Sequence, residues 1–364
     1  MPVSVRYLVH TLLLYTAVAL GAAQAQLPLT VVNFGGANGK AQNQAFIQPF
    51  AREQGVATTS AEYNGDLAAI RAQVQTAEVR WDVVEVESVD LQNGCDEGLF
   101  ELFDRNNLPH AGMLLPGTIK DCGVGAFVWS TVLAYNSKRL RDAPRSWADF
   151  WDVQRFPGKR GLRKGARYNL EIALMSDGVR RRDVYHLLTT EAGVERAFKR
   201  LEQLKPHIVW WESGAQPVQR LASGDVSLSS AYNGRIAAAQ SEGQDGLQIG
   251  WNDAIYELDY WAVVKGSARA RQARDFIRYA TSEEPQLAFS RAIPYGPTHI
   301  NAILRYDSGR ARASADSSHL VDLSLVPSEL PSAPGNLRRS LALDAKFWIQ
   351  RGATLERMFQ QRML

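Results

Sequence analysis

The segment Ser229–Val264 reads SSAYNGRIAAAQSEGQDGLQIGWNDAIYELDYWAVV and has the residue content of a ligand-binding wall. It holds Arg235, the acids Glu257 and Asp259, and several aromatic rings between two apolar runs. Burying charged groups is costly unless partner groups pair with them. Either these side chains pair with other groups of the protein, or a small molecule pairs with them.

An extended strand presents alternate residues on one face. The residues that lead into the apolar run Tyr260–Val264 therefore place Glu257, Asp259 and Trp261 on the same side. An acidic and aromatic face suits an ammonium group, because charged hydrogen bonds contribute about 1.5 to 3 kcal/mol and cation–π contact adds up to about 2 kcal/mol. The alternative is that Asp259 pairs with an arginine of the protein.

Composition restricts the class of protein. The 364 residues are 45% hydrophobic and 22% charged with a net charge of +3, which is ordinary globular usage and long enough for two domains. The basic residues are scattered apart from Arg180–Arg182, so we expect no nucleic-acid partner. The sequence has no phosphate-binding loop, no G-x-S-x-G and no H-E-x-x-H, and its histidines are scattered. We therefore expect a protein without cofactor, metal centre or catalytic activity.

The N-terminus indicates export. Residues 1–25 combine Arg6, an apolar run and the cleavage pattern Ala23-Gln24-Ala25, which is typical of a secretory signal peptide. We expect a soluble mature chain in the periplasm. Its two cysteines, Cys95 and Cys122, then most simply form a disulfide, which contributes about 3 to 4 kcal/mol in the chain-entropy model.

The order of predicted elements indicates an α/β fold. Strands predicted at 29–34, 56–63 and 81–86 alternate with helices and point to a mostly parallel sheet. A second alternation from residue 208 onward predicts a second lobe, and loops are expected at 307–317 and 327–334. The apolar run 126–135 and the segment 258–265 would join the two lobes around a hinged cleft.

Several short motifs resemble one family along nearly the whole mature chain. The segment 146–162 reads SWADFWDVQRFPGKRGL, residues 232–234 read YNG, residues 294–298 read PYGPT, and Asp259 precedes an apolar strand. Together they resemble the solute-binding proteins of bacterial ABC importers, particularly the spermidine/putrescine-binding group. That resemblance implies a type II, two-lobed periplasmic binding protein of the Venus-flytrap kind. It also implies a monomer that delivers its ligand to an inner-membrane permease.

The resemblance also divides the chain. Lobe 1 is expected to comprise 26–130 plus 262–305, and lobe 2 to comprise 131–261 plus 306–364. In the polyamine-binding group, the aspartate that matches Asp259 binds an ammonium group. The chain departs from that group where an acid pair is expected, because Arg163, Lys164 and Arg167 stand there instead. One ammonium site is therefore expected, not two.

These observations predict a zwitterionic ligand. Arg235 or Arg167 can offer a carboxylate a bidentate fork, and an ω-amino acid such as 4-aminobutyrate carries both charges. A polyamine receptor and an exported enzyme on the same fold remain alternatives. For Arg235, the alternative role is a salt bridge to Asp259 or Asp253.

The candidate site has eight members. Phe34 and Tyr232 are expected as apolar walls, and Ser88 and Tyr295 as hydrogen-bond partners. For Phe34 and Tyr295, ordinary core packing and a capped turn are the respective alternatives. The candidate ligand-binding residues are Phe34, Ser88, Arg167, Tyr232, Arg235, Glu257, Asp259 and Tyr295.

Overall fold

The computed structural model describes residues 27–306 and 329–364. The predicted signal peptide at 1–25 and the loop predicted at 307–317 lie outside these residues. So does the start of the loop predicted at 327–334.

One mixed sheet runs through the molecule. Its strands are β1 (Leu29–Asn33), β2 (Thr58–Glu62), β3 (Val83–Glu87), β4 (Ile119–Lys120), β5 (Gly123–Asn136), β6 (Arg160–Arg163), β7 (Ile208–Trp211), β8 (Leu228–Tyr232), β9 (Leu247–Val263), β10 (Gly296–Pro297) and β11 (Leu341–Ala342). The main path is β2-β1-β3-β9-β5-β8-β6-β7.

The prediction of a mostly parallel sheet holds only at the two ends of this path. β1 is parallel to β2 and β3, and β6 is parallel to β7 and β8. In the centre, β9 is antiparallel to both β3 and β5, and β5 is antiparallel to β8. The chain crosses the middle of the sheet twice in opposite directions, which makes the central strands antiparallel.

Among the strands of the described residues, the two crossing strands are the longest. β5 is buried along most of its length, as its apolar sequence predicts. β9 has 17 residues and begins well before the strand predicted at 260–264. The sequence did not indicate its first half as strand because that half is polar and only partly buried. Pairing with β5 holds that half in the sheet. The register of β5 against β9 shifts between Gly125 and Phe127 and again between Thr131 and Leu133.

Helices cover both faces. They are α1 (Gly36–Gln42), α2 (Gln48–Gln54), α3 (Leu67–Thr76), α4 (Ser88–Asp96), α5 (Trp147–Trp151), α6 (Asn169–Ser176), α7 (Val184–Leu188), α8 (Glu191–Leu204), α9 (Gln216–Ser223), α10 (Asn233–Ser241), α11 (Ala270–Ala280), α12 (Glu283–Ala292), α13, which includes residues 300–306, α14 (Pro334–Arg338) and α15 (Ala345–Met363). A π-helical turn, Asn43–Ile47, joins α1 to α2.

Two predicted helix caps are confirmed. The Asp66 carboxylate accepts a hydrogen bond from the Ala68 amide at 2.8 Å and begins α3. The Ser146 hydroxyl accepts from the Asp149 amide at 3.4 Å and begins α5. Each cap satisfies an amide that the helix leaves unpaired and contributes about 1 kcal/mol.

Aromatic packing holds the first half of the sheet to its helices. Phe46 stacks on Phe289 of α12 with ring centroids 4.8 Å apart, and Phe50 meets Phe276 of α11 edge to face at 5.4 Å. α11 and α12 follow β9 in the chain, so this packing places them beside the half of the sheet that contains β1–β3. We call this half the first lobe and the half built on β6–β8 the second lobe; their predicted residue boundaries stay a prediction.

The disulfide Cys95–Cys122 is present and connects the end of α4 to the start of β5. Both cysteines lie in the first lobe, so the bond stabilises that lobe alone. Within the described ranges, the structure contains no helix with the length and apolar character needed to cross a membrane.

Candidate functional site

A cavity of about 260 Å³ lies between the two lobes. The first lobe supplies the ends of β1 and β3, the second lobe supplies the ends of β6 and β8 with the start of α10, and β5 and β9 form the floor. The lining residues are Phe34, Asn38, Glu62, Tyr63, Asn64, Glu87, Trp129, Arg163, Glu212, Ser213, Gly214, Tyr232, Arg235, Asp259 and Tyr295.

Five of the eight candidate residues line this cavity: Phe34, Tyr232, Arg235, Asp259 and Tyr295. Phe34 directly follows β1 and Tyr295 directly precedes β10, while the other three lie in β8, α10 and β9. The order of strands in the sheet brings them together. The other three, Ser88, Arg167 and Glu257, are not part of the lining.

Asp259 lies on the cavity floor. It is 4% exposed, and its Oδ1 accepts a hydrogen bond from the Trp129 indole at 2.8 Å. Burial raises the pKa of Asp259 well above its usual range, and the neighbouring carboxylate of Glu85 raises it further. No arginine or lysine of the described chain forms an ion pair with Asp259, so the alternative that it pairs with an internal arginine is wrong.

Glu85 is the buried neighbour of Asp259. Its carboxylate accepts hydrogen bonds from the Phe34 amide at 3.1 Å, the Asn38 amide group at 2.8 Å and the Gln42 amide group at 2.8 Å. Burial raises the pKa of Glu85, although a hydrogen bond with Asp259 and these three neutral donors act to lower it. Asp259 and Glu85 thus form an acidic pair that lacks a cation.

Arg235 projects from the first turn of α10. Its Nη2 donates to the Phe34 carbonyl of the first lobe at 3.1 Å, while its Nε is buried without a partner in the described chain. A Cβ at Gly36 or at Gly214 would lie 2.5 Å from the guanidinium, so both glycines are needed for its close approach.

The alternative salt bridges of Arg235 are wrong. The carboxylate of Asp253 pairs with Arg181 instead. Arg235 forms no ion pair with an acid in residues 27–306 or 329–364, although it is only 6% exposed. The cavity lining therefore contains one buried cation, Arg235, and one buried acid, Asp259, that lack a charged partner in the described chain; Glu62, which also lines the cavity without an ion pair, is exposed to solvent.

Aromatic rings form the remaining walls. Trp129 meets Tyr232 edge to face with ring centroids 4.9 Å apart. Phe34 stacks on Tyr63 at 5.3 Å, and Tyr295 stacks on Phe127 at 5.0 Å. Burial raises the pKa of Tyr232 to about 12, so its phenol is neutral and can donate a hydrogen bond.

The three candidates outside the cavity lie directly behind its wall. The Glu257 carboxylate accepts hydrogen bonds from the Ser88 amide and hydroxyl and from the Tyr168 hydroxyl. Arg167 pairs with Glu87 at 2.9 Å and with Asp90 at 3.2 Å. Since partners inside the protein occupy their polar atoms, their position does not favour direct ligand contact.

Several lining residues were not among the candidates. Trp129 stands in an apolar run, where any aromatic residue is consistent with core packing. Glu87 is the last residue of β3, and Arg163 is the last of β6. Their signal was present, because ligands in open α/β sheets bind at the carboxyl ends of strands. In the described part of the chain, no group of three or more histidine, cysteine, aspartate or glutamate side chains could hold a metal ion.

This fold and site define a class, and comparison with known proteins identifies it. Residues 45–307 match the family model described as bacterial extracellular solute-binding protein. The chain belongs to this family. The predicted family and the predicted two-lobed α/β fold are confirmed.

Individual relatives are similar along nearly the whole chain. A gamma-aminobutyric acid-binding protein of Pseudomonas aeruginosa is 50% identical over 339 residues, which cover 93% of this chain and 92% of that protein. The periplasmic binding protein MotA of A. tumefaciens B6, solved in complex with glucopine, has a TM-score of 0.82 and 27% identity, with 93% of this chain and 100% of that chain covered. The GABA receptor Atu4243 has a TM-score of 0.77 and 28% identity, with coverage of 93% and 98%.

Proposed function

We propose that the protein is the periplasmic receptor of an ABC importer and that it binds an ω-amino acid, with 4-aminobutyrate as the best candidate. One observation carries this proposal: Arg235 and Asp259 line the same cavity, and neither has a charged partner in the described chain. Buried charges are retained where a partner compensates them. A zwitterion supplies both partners.

The positions of the two charges are compatible with an ω-amino acid. Arg235 and Asp259 line the same cavity but form no ion pair with each other, so a ligand that contacts both lies between them. An α-amino acid carries its two charges on one carbon, whereas 4-aminobutyrate separates them by a methylene chain. Trp129, Tyr232 and Phe34 would pack against those methylenes, and Trp129 also orients the Asp259 carboxylate.

The size of the cavity supports a compact ligand. Its volume of about 260 Å³ lies below the roughly 300 to 1,000 Å³ of sites that hold drug-sized molecules. The relative from Pseudomonas aeruginosa, whose name states gamma-aminobutyric acid binding, supports the same ligand.

Binding would couple to delivery through lobe closure. Phe34 and Glu87 belong to the first lobe, and Tyr232 and Arg235 to the second, so a ligand contacts both sides only when the lobes are closed. Such a ligand shifts the population toward the closed form. The closed monomer would then dock on the inner-membrane permease.

Thermal denaturation with a ligand panel tests the proposal. The panel contains 4-aminobutyrate, 5-aminopentanoate, glycine, putrescine and spermidine. At about 100 times its dissociation constant, a true ligand stabilises the folded state by about 2.7 kcal/mol. We expect this for the ω-amino acids and a negligible shift for glycine. The proposal fails if polyamines shift the melting temperature and ω-amino acids do not.

A further inference from the structure

We infer that Arg163 and Arg167 set the charge specificity of the site. They form ion pairs with the Glu87 carboxylate, so that the cavity accepts one ammonium group and rejects diamines. This inference rests on the proposed function and deepens it. It assigns a specificity role to two residues of which only Arg163 lines the cavity.

Glu87 is placed to be a second ammonium site. It is directly opposite Asp259 in the antiparallel pairing of β3 with β9. Side chains of directly opposed residues lie on the same face of the sheet, with Cβ atoms about 5 Å apart. Glu87 also lines the cavity and is 7% exposed. Two neighbouring carboxylates would favour a ligand with two positive charges.

Two arginines of the second lobe prevent this. Arg163 Nη1 lies 3.2 Å from Glu87 Oε1, and Arg167 Nη1 lies 2.9 Å from Glu87 Oε2. Although burial alone would raise the pKa of Glu87, the two guanidinium groups hold it below its usual range. Glu87 is therefore ionised, and its charge is already compensated.

The arginines are held in place by the turn between β6 and α6. The Arg163 guanidinium lies over the Tyr168 ring at 5.2 Å from its centroid. The Arg167 side chain also pairs with Asp90 at 3.2 Å, and the backbone amide of Arg167 donates to Glu356 of α15 at 3.3 Å. A second ammonium group would have to displace these contacts to reach Glu87.

The remaining buried charges match one ammonium and one carboxylate, while Glu62, which also lines the cavity, is exposed to solvent. Asp259 and its neighbour Glu85 lack a cation, and Arg235 lacks an anion, within the residues that the structure describes. A diamine that paired with Asp259 would bring its other ammonium group toward Arg163 or Arg235. Placing like charges next to each other disfavours a ligand, whereas an ω-amino acid meets opposite charges at both ends.

Titration calorimetry on three proteins tests the inference. These are the wild type, the Arg163→Met/Arg167→Met variant, and an Arg196→Met control that breaks an exposed ion pair with Asp177 in the same lobe. The readout is the ratio of the putrescine and 4-aminobutyrate dissociation constants. We expect that ratio to fall at least tenfold in the double variant through gained putrescine binding, and to stay unchanged in the control. Adding Glu87→Gln to the double variant should remove the gain.

Two outcomes overturn the inference. The first is a folded double variant whose ratio stays within threefold of the wild type. The second is a gain of putrescine binding that survives Glu87→Gln. If the double variant melts below the assay temperature, Arg163→Gln carries the same test with a gain of at least threefold, and no gain overturns the inference. A wild type that binds no ω-amino acid instead refutes the proposed function, which separates the two failures.

Discussion

Glu87 and Asp259 face each other across β3 and β9, yet only Glu87 has a cation partner within the described residues. Their positions in the sheet are equivalent, so the difference comes from the groups that surround each carboxylate. Arg163 and Arg167 form ion pairs with Glu87, while the Asp259 carboxylate accepts a hydrogen bond from the neutral indole of Trp129. The charge available to a ligand is thus decided by the second lobe, although both acids stand at the floor and first-lobe side of the cavity.

Replacing Asp259 with asparagine tests the ammonium site. The asparagine amide oxygen would keep an acceptor for the Trp129 indole, but the charge would be lost. We therefore expect the affinity for 4-aminobutyrate to fall roughly 10- to 150-fold, corresponding to about 1.5 to 3 kcal/mol. Without ligand, the melting temperature at neutral pH should not fall, because the substitution removes a buried, unpaired acid. Calorimetry and thermal denaturation measure the two effects. An affinity within twofold of the wild type would contradict the assignment.

Arg235→Lys tests the carboxylate site while keeping the charge. A lysine offers a point charge where arginine offers a planar fork, so we expect at least a tenfold loss of affinity for 4-aminobutyrate. Arg196→Lys, at an exposed position in the same lobe, is the matched control and should bind as the wild type does. A polyamine receptor would instead tolerate Arg235→Lys. If the variant binds putrescine as tightly as the wild type does and neither protein binds an ω-amino acid, the site is a polyamine site and Arg235 does not bind a carboxylate.

The affinity for 4-aminobutyrate should rise with pH. Burial and the nearby Glu85 raise the pKa of Asp259, so part of the ligand-free protein carries a proton there that an incoming ammonium group must expel. Glu85, Glu87 and Glu257 also raise the pKa of Asp259, and the cavity lining further includes the ionisable groups of Glu62, Arg163, Arg235, Tyr63, Tyr232 and Tyr295. We expect a lower dissociation constant at about pH 8 than at about pH 5. Calorimetry in two buffers of different ionisation enthalpy should detect the proton that is released on binding. A dissociation constant for 4-aminobutyrate that does not change with pH would contradict the prediction.

Glu171 in the second lobe should make stability depend on pH. It is fully buried, accepts hydrogen bonds from Trp348 at 2.6 Å and Tyr185 at 3.0 Å, and burial raises its pKa to about 7. The folded state therefore binds a proton that the unfolded state has released, and stability is lost as pH rises from about 4.5 toward 7. Glu171→Gln should reduce that loss in urea denaturation series, whereas Glu191→Gln at an exposed position should not. Equal pH profiles for Glu171→Gln and wild type would refute this.

The predictability of the fold followed burial. β1, β3 and β5 are rich in apolar and β-branched residues and almost entirely buried, so their sequence alone indicates strands. The first half of β9 is polar and partly exposed, and its structure depends on pairing with β5, which no local pattern encodes. The antiparallel centre of the sheet was not predicted for the same reason, because it depends on pairing between strands that are far apart in sequence.

Part of the site was predictable from the sequence. Asp259 was predicted from its position before an apolar strand and from the family resemblance, Arg235 was predicted from charge complementarity, and both line the cavity. Glu257 lies on the same strand face as Asp259, but Ser88 and Tyr168, which are 169 and 89 residues away in sequence, take its hydrogen bonds. The contact between Arg163 and Glu87 spans 76 residues and depends on how the lobes meet, so only the folded structure reveals it.

The two register shifts in β5 lie on the floor of the cavity. They occur between Gly125 and Phe127 and between Thr131 and Leu133, on either side of Trp129. A bulge disrupts the ladder locally and bends the strand at that point. A ligand that packs on Trp129 would lie between these two bends, where the sheet joins the two lobes. One extra methylene in that ligand would change the gap between the lobes only slightly at this point, but the change would be larger at the lobe tips, where another protein can detect it.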